Sequence, residues 1–258
     1  MNNLNIVFLL VTILFSGKCL SQDSLSLIKT KEYLDVQIKY FPNNLDYREE
    51  RASALMELKR YADAENDINF LIKSADKFNA EHYYSKAYCE YQLYRDDSSM
   101  HNLAIILGKD TFNFKACYLR GLIFMNKQLY DSSEFYFGRC LNLKPNDVAT
   151  LTAMGRIYMK KNEMENAKNL FNKALSLDES CDRCLVHLAY MDLINENLEE
   201  AQKKLKMALK LNAKNPYYWF YSSLYYNKIG DKKNACYYYS EAKKLGIDDK
   251  DDKLYYCK

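Results

Sequence analysis

Small and large side chains recur along this chain with a fixed period. Small residues occur at intervals of 35 and then 34 positions, at Ala52, Ala87, Gly121, Gly155, Ala189 and Ser223. A second small column follows twelve positions after the first, at Ala64, Ser99, Ser133, Ala167, Ala201 and Ala235. Large residues follow the second column by four positions, at Ile68, Leu103, Phe137, Phe171, Leu205 and Tyr239. Because helix axes approach closely only where the facing side chains are small, the pattern predicts six helical hairpins.

Capping segments are predicted on both sides of the repeats, because a terminal hairpin otherwise exposes the apolar face meant for a neighbour. Over residues 22–44 we expect an N-terminal capping helix that Pro42 ends. Its apolar side is formed by Leu27, Leu34, Ile38 and Phe41. Gly246 ends the last repeat helix, and residues 248–258 are expected to form a short, charged C-terminal cap.

The first 21 residues have the anatomy of a secretory signal peptide. An apolar run from Leu4 to Phe15 is shorter than a membrane span, and small residues at Cys19 and Ser21 suit cleavage before Gln22. An uncleaved anchor and a lipidated Cys19 are the alternatives. We expect an exported protein, most simply periplasmic, with secretion or membrane anchoring as alternatives. After cleavage no membrane segment is expected.

Composition agrees with an all-α chain and excludes some partners. The 258 residues are 48% hydrophobic and include only seven Gly and three Pro, which favours long helices joined by short loops. A net charge of +3 is too small for a protein that binds nucleic acid by neutralising phosphates. Charge is uneven, however. Residues 22–110 carry 12 basic and 16 acidic groups, whereas residues 111–258 carry 24 and 18.

The repeat resembles the tetratricopeptide repeat (TPR), and the chain is similar to TPR proteins of the exported bacterial type. Residues 148–181 match the family pattern at Leu151, Gly155, Tyr158, Ala167, Phe171 and Ala174. The last unit matches it at Trp219, Ser223, Tyr226, Ala235, Tyr239 and Ala242. The first two units depart from it, because Arg48 and Glu90 fall in apolar columns. The resemblance implies a right-handed α-solenoid of six units, 45–79, 80–113, 114–147, 148–181, 182–215 and 216–247.

In this family the first helix of each unit lines a concave groove. Carried over to this chain, the resemblance assigns to the groove Tyr84, Tyr88, Tyr91, Tyr118, Leu122, Met125, Arg156, Met159, Tyr190, Leu193, Tyr217, Phe220 and Leu224. Tyr and Met offer large contact areas at low entropic cost, so the groove suits an extended peptide or a partner helix. An equally weighted alternative is that many of these Tyr simply pack. The carboxylate clamp of chaperone-docking members is missing, because its positions hold Glu49, Ser53, Tyr84, Tyr88, Tyr118 and Leu122.

Seven cysteines remain after the signal segment. Cys236 and Cys257 are the best candidates for a disulfide, which would close 22 residues and stabilise the fold by roughly 3 kcal/mol. The alternative is two unpaired residues that merely pack. Cys181 and Cys184 form a Cys-x-x-Cys sequence whose alternatives are a structural disulfide, free thiols or a redox pair. The remaining three, Cys89, Cys117 and Cys140, are expected in the core.

We predict no catalytic residue, no metal and no cofactor. With Cys181 and Cys184, His187 would give zinc at most three of four ligands, and His82 and His101 have no catalytic neighbour at a useful spacing. These histidines are expected at the surface or at repeat junctions. The functional prediction is an exported scaffold that binds a protein or peptide, or a second copy of itself. The alternatives are an envelope accessory that binds glycan or peptidoglycan, and a thiol-redox protein using Cys181 and Cys184.

Overall fold

The computed structural model describes residues 24–247 and residue 257, and over these residues the chain is all α-helical without a β-strand. In chain order the helices are α1 (Ser24–Tyr40), α2 (Leu45–Glu57), α3 (Tyr61–Ser74), α4 (Ala80–Gln92), α5 (Asp96–Lys109), α6 (Phe114–Asn126), α7 (Tyr130–Leu143), α8 (Val148–Lys160), α9 (Met164–Leu177), α10 (Asp182–Ile194), α11 (Leu198–Leu211), α12 (Pro216–Lys228) and α13 (Lys232–Lys244). The predicted signal segment and the C-terminal cap, apart from Cys257, lie outside the described residues.

The helices form hairpins within two compact units, one ending at Asn102 and the other beginning at Leu103. In unit 1, α1 packs on α2, α2 on α3 and α3 on α4. In unit 2 the hairpins are α6–α7, α8–α9, α10–α11 and α12–α13, and each packs against the next. The predicted all-α fold of helical hairpins behind an N-terminal cap is confirmed.

Helix α1 covers the first hairpin with Leu27, Leu34 and Ile38, which are all buried. Phe41 was expected on the same stripe, but it is 56% exposed. The helix ends at Tyr40, one residue earlier, so Phe41 no longer follows the helical spacing that would turn it inward.

Each first helix begins at a capped position of one sequence column. The side chain at this position accepts a hydrogen bond from a backbone N–H two or three residues on, which satisfies one of the unpaired donors of the first turn. The capping residues are Asn44, Asn79, Asn113, Asp147, Cys181 and Asn215. Cys181 therefore replaces the usual Asn or Asp at the start of α10, a substitution that the sequence columns did not reveal.

Each hairpin turn contains one residue in the left-handed region. These residues are Lys59, Tyr94, Gln128, Asn162, Glu196 and Gly230, and only the last is glycine. In the first turn Arg60 N donates to Leu55 O at 2.8 Å and Lys59 N donates to Met56 O at 3.0 Å. This is the pairing of a Schellman motif, which ends the first helix and reverses the chain.

The two small columns meet inside the hairpins. Ser133 Oγ donates to Gly121 O at 2.7 Å, so α6 and α7 lie close together there. A Cβ atom added to Gly121 would lie 2.8 Å from the Phe137 ring, and one added to Gly155 would lie 2.7 Å from the Phe171 ring. Both rings are fully buried. Glycine is thus required where the facing large residue is Phe.

The departure from the family pattern at Arg48 is explained by a buried ion-pair network. Asp67 is 1% exposed and contacts both Arg48, at 3.0 Å, and Arg51, at 2.7 Å. Arg51 also contacts Asp35 on α1 at 2.8 Å, while the Arg48 guanidinium lies 3.8 Å from the centre of the Phe70 ring. Arginine in the apolar column therefore neutralises a buried carboxylate and ties α1, α2 and α3 together.

Glu90, the second departure, is also paired in the interior. Its Oε2 accepts a hydrogen bond from Asn102 Nδ2 at 2.7 Å, and both residues are buried. Burial raises the pKa of Glu90, while the hydrogen bond from Asn102 acts to lower it. The two polar residues thus replace an apolar contact between α4 and the middle of α5.

Candidate functional site

The first helices of unit 2 form a continuous surface. Helix α6 contacts α8, α8 contacts α10 and α10 contacts α12. We call one side of these four helices the unit 2 face. It carries Tyr118, Leu122, Met125, Arg156, Met159, Tyr190, Tyr217 and Leu224. Tyr118, Leu122 and Met125 follow one another at spacings of four and three and share one side of α6. They are half-buried and pack around the core that contains Phe137.

The other predicted groove residues of unit 2 differ in accessibility. Arg156 and Tyr217 are exposed, and Met159, Tyr190 and Leu224 are half-buried. Leu193 and Phe220 are buried, with exposed fractions of 6% and 9%.

The assignment of Leu193 and Phe220 to an accessible groove is therefore corrected. Leu193 packs with Leu205 in the core of the α10–α11 hairpin. Phe220 packs with Ala235, Ala242 and Tyr239, at 6.4 Å between the ring centres in the last case. Their side chains reach the second helix of the hairpin, so both stabilise the fold and neither offers contact area to a partner.

Two arginines of the first helices lie at the unit 2 face. Arg156 and Arg183 are both exposed and lie close enough to Tyr118 and His187 to influence their titration. Burial raises the pKa of Tyr118, and the two guanidinium groups act in the opposite direction. Burial and then the two arginines lower the pKa of His187 to about 3, so its imidazole is neutral at physiological pH. The surface combines aromatic area with positive charge.

His187 lies deeper than the sequence indicated. Its ring stacks on Phe171 with 4.9 Å between the ring centres, and its Nδ1 atom is buried. His187 was expected at the surface or at a repeat junction. It lies at a junction, because it packs on Phe171 of the preceding hairpin. A neutral, stacked imidazole with no carboxylate partner among the described residues offers packing, not acid–base chemistry.

Unit 1 carries an aromatic pocket on its first helices. Tyr84, Tyr88 and Tyr91 share one side of α4, at spacings of four and three. An open pocket of about 360 Å³ lies between α2, α3 and α4. It is lined by Met56, Glu57, Lys59, Tyr61, Tyr84, Ser85 and Tyr88. We call it the tyrosine pocket.

Three phenol rings define the walls of the tyrosine pocket. The ring of Tyr84 is stacked on that of Tyr88 with 6.4 Å between their centres. Tyr61 meets Tyr88 edge to face at 6.1 Å. Burial, followed by the neighbouring Tyr88, raises the pKa of Tyr61. The sequence predicted Tyr84 and Tyr88 but not Tyr61 and Glu57. The groove positions of the family lie in the middle of the first helices, whereas Tyr61 and Glu57 flank the turn after such a helix.

Both disulfide candidates are joined in the structure, with Sγ–Sγ distances of 2.04 Å for Cys181–Cys184 and for Cys236–Cys257. Cys181 is 7% exposed and Cys184 is fully buried. The Sγ atom of Cys184 lies 3.2 Å from Thr152 Oγ1 on α8. Thiol–disulfide exchange needs access to a sulfur atom, so burial at this junction favours a structural bond over a redox centre.

The other three cysteines are buried as expected. Burial raises the pKa of Cys89 and Cys140 to about 12 and also raises that of Cys117. Their thiols are therefore neutral and poorly nucleophilic. Within residues 24–247 and 257, no group of His, Cys, Asp and Glu has the arrangement of a metal site. In the same part of the chain, no helix combines the length and apolar character of a membrane span.

Comparisons with known proteins agree with this architecture. Residues 125–246 match the family model of the middle TPR-like domain of cilia and flagella-associated protein 70. Anaphase-promoting complex subunit 3 of Schizosaccharomyces pombe is 27% identical over 67 residues, which is 26% of this chain and 10% of that protein. The matched segment covers about a tenth of the length of this relative.

Two solved structures share the fold. A tetratricopeptide repeat protein from Parabacteroides merdae aligns with a TM-score of 0.71 at 14% identity, over 87% of this chain and 88% of that one. A chain of the APC/C hetero-tetramer Cut9-Hcn1 aligns with a TM-score of 0.74 at 13% identity, over 87% of this chain and 44% of that one. The helical hairpins and these neighbours show that the chain has the fold of tetratricopeptide-repeat proteins, and the match over residues 125–246 agrees with this fold.

Proposed function

We propose that this protein is an exported scaffold that binds a polypeptide segment of a partner through its first helices. The observation that carries the proposal is the unit 2 face, where four adjacent helices present Tyr, Leu and Met side chains beside exposed arginine. Such side chains supply contact area and hydrogen bonds at low entropic cost, which is typical of protein interfaces. The TPR fold supports an interaction role, and we assign the protein no catalytic step.

Export is the second part of the proposal. It rests on the signal-like sequence of residues 1–21, and it is supported by the two disulfides, since such bonds persist in oxidising compartments. The test is the intact mass of the protein recovered from the producing cell. Export with cleavage predicts a chain that begins at Gln22 and lacks four thiol protons. A full-length, fully reduced chain would contradict it.

The binding role is tested with two alanine variants of matched exposure. Tyr217 lies on the unit 2 face and is 57% exposed, whereas Phe135 lies on a second helix, α7, and is 60% exposed. We expect Tyr217→Ala combined with Tyr190→Ala to weaken partner capture by tenfold or more. Phe135→Ala should leave capture unchanged.

Circular dichroism must first show that the variants fold. Equal capture by all three proteins would refute the assignment of the unit 2 face. Retention on immobilised glycan instead of protein would replace the partner with a carbohydrate. A mass that grows with concentration would identify the partner as a second copy of the chain.

A further inference from the structure

We infer that the tyrosine pocket of unit 1 accepts a cationic side chain, Lys or Arg, of a partner polypeptide. This inference rests on the proposed function and adds the chemistry of the ligand. It depends on three features of unit 1: the aromatic walls of the pocket, the carboxylate of Glu57 at its rim and the excess of exposed acidic residues on α2.

The walls favour a cation over a purely apolar group. The faces of phenol rings carry the negative part of the aromatic quadrupole and attract a cation within about 6 Å of the ring centre. The ring of Tyr88 lies 6.1 Å from that of Tyr61 and 6.4 Å from that of Tyr84, and all three residues line the pocket. At about 360 Å³ the cavity lies at the lower end of the range for small-ligand sites, so it suits one side chain.

The rim supplies a carboxylate. Glu57 is exposed, lines the pocket and has no ion-pair partner among the described residues. Lys59 lines the same pocket and is a like charge to the proposed ligand. In the described part of the chain, Lys59 makes no cation–π contact with a ring. Its ammonium group therefore does not already occupy the aromatic walls.

The surroundings are acidic because the basic residues of α2 are engaged elsewhere. Arg48 and Arg51 both pair with the buried Asp67. On the other side of α2, Asp46, Glu49 and Glu50 are exposed along with Glu57. Burial and the nearby Asp46 raise the pKa of Glu50, as expected where carboxylates crowd together. A cationic segment relieves this repulsion, whereas an acidic one increases it.

The test compares two probes of equal shape and different charge. N-acetyl-arginine methylamide carries the cation, and N-acetyl-citrulline methylamide replaces the guanidinium with a neutral urea. Each is titrated into the folded chain with ¹³C-labelled tyrosine, and ring resonances are followed by NMR. We expect the arginine probe to shift Tyr61, Tyr84 and Tyr88 and to bind about fivefold or more tightly than citrulline.

Variants separate the charge from the fold. Glu57→Gln should weaken the arginine probe by about 2- to 5-fold and leave citrulline unchanged. Glu32→Gln, an equal change of charge at an exposed position of α1, should change neither. Lys59→Met should tighten arginine binding by about 2-fold, an effect that a purely structural role of this residue would not produce. All three positions are exposed, so their substitution leaves the core intact.

Equal binding of both probes, or no shift of these three tyrosines by either, would overturn the inference. This failure is distinct from failure of the proposed function. The unit 2 variants at Tyr190 and Tyr217 report partner capture independently of the tyrosine pocket. If capture depends on them while arginine does not bind, the scaffold role stands and the cation site is wrong.

Discussion

Replacement of Gly155 by Ala tests whether the small column is required by the facing ring. A Cβ at this position would lie 2.7 Å from Cε1 of Phe171, about 0.8 Å inside ordinary carbon–carbon contact. Phe171 is fully buried, so the ring has little room to move. Overpacking of this kind costs roughly 2–3 kcal/mol, and the better helix propensity of Ala offsets about 1 kcal/mol of it. We expect Gly155→Ala to lower the free energy of unfolding by about 1–2 kcal/mol.

The pair is best measured as a double-mutant cycle. In another hairpin of unit 2, Ala189 packs with Leu205, so the combination Gly155→Ala with Phe171→Leu copies a pairing that the chain already uses. Phe171→Leu alone should cost about 1–1.5 kcal/mol. The double variant should lose no more than about 1 kcal/mol, which corresponds to a coupling of roughly 2 kcal/mol.

The assay is urea-induced unfolding followed by far-ultraviolet circular dichroism, with the slope of each transition compared before free energies are extracted. Gly138→Ala is the matched control, because no atom lies within 4 Å of a Cβ built on this helical glycine. It should stabilise the protein by about 1 kcal/mol. If Gly155→Ala stabilised the protein as much as the control does, or the cycle showed no coupling, the packing argument would be refuted.

Three further predictions concern the buried ion pair, the turns and the half-buried His187. Asp67→Ala should destabilise unit 1 by about 3 kcal/mol, because it removes the buried carboxylate that pairs with Arg48 and Arg51 and leaves only Arg51 with an ion-pair partner among the described residues, Asp35; Asp63→Ala at an exposed pair should cost less than about 0.5 kcal/mol, and hydrogen exchange of α1–α3 would report the difference. Tyr94→Gly should raise the midpoint of urea unfolding, by roughly 0.5–1 kcal/mol in stability, because this 94% exposed tyrosine has a φ of 58°; an unchanged or lower midpoint would contradict the turn geometry. The pKa of His187 falls from about 6.5 in the unfolded chain to about 3 in the fold, so only the unfolded chain gains a proton as the pH drops through this window. The stability of the parent should therefore fall below pH 6.5 by up to about 1.4 kcal/mol per pH unit more than that of a His187→Phe variant, and parallel pH profiles would contradict the burial.

The fold was predictable from the sequence because each of the six repeats contains the same pattern of small and large residues. Small residues such as Gly121 and Ser133 mark where two helices touch, and this signal does not depend on any single position. The turns were harder to predict, since five of the six residues in the left-handed region are not glycine. In these turns the Schellman hydrogen bonds of the preceding helix outweigh the local preference of residues such as Tyr94.

The candidate sites were predicted less completely than the fold. The position of a residue in a repeat indicates which helix it occupies, but not how far its side chain reaches. Phe220 was therefore predicted to be accessible, although its side chain packs on Tyr239. The tyrosine pocket needs Glu57 and Tyr61, which belong to the end of one helix and the start of the next. Only the turn between them brings these two positions to one cavity.

Site-specific photocrosslinking in the producing cell shows directly whether a partner binds through the first helices. A photoreactive phenylalanine analogue is placed at Tyr217 on the unit 2 face or at Phe135 on α7, which are similarly exposed at 57% and 60%. We expect the probe at Tyr217 to crosslink a discrete partner that the probe at Phe135 does not crosslink. This crosslink should disappear when Tyr190 is also changed to Ala. Crosslinking of the same partner from Phe135, or equally from both positions, would contradict binding through the first helices.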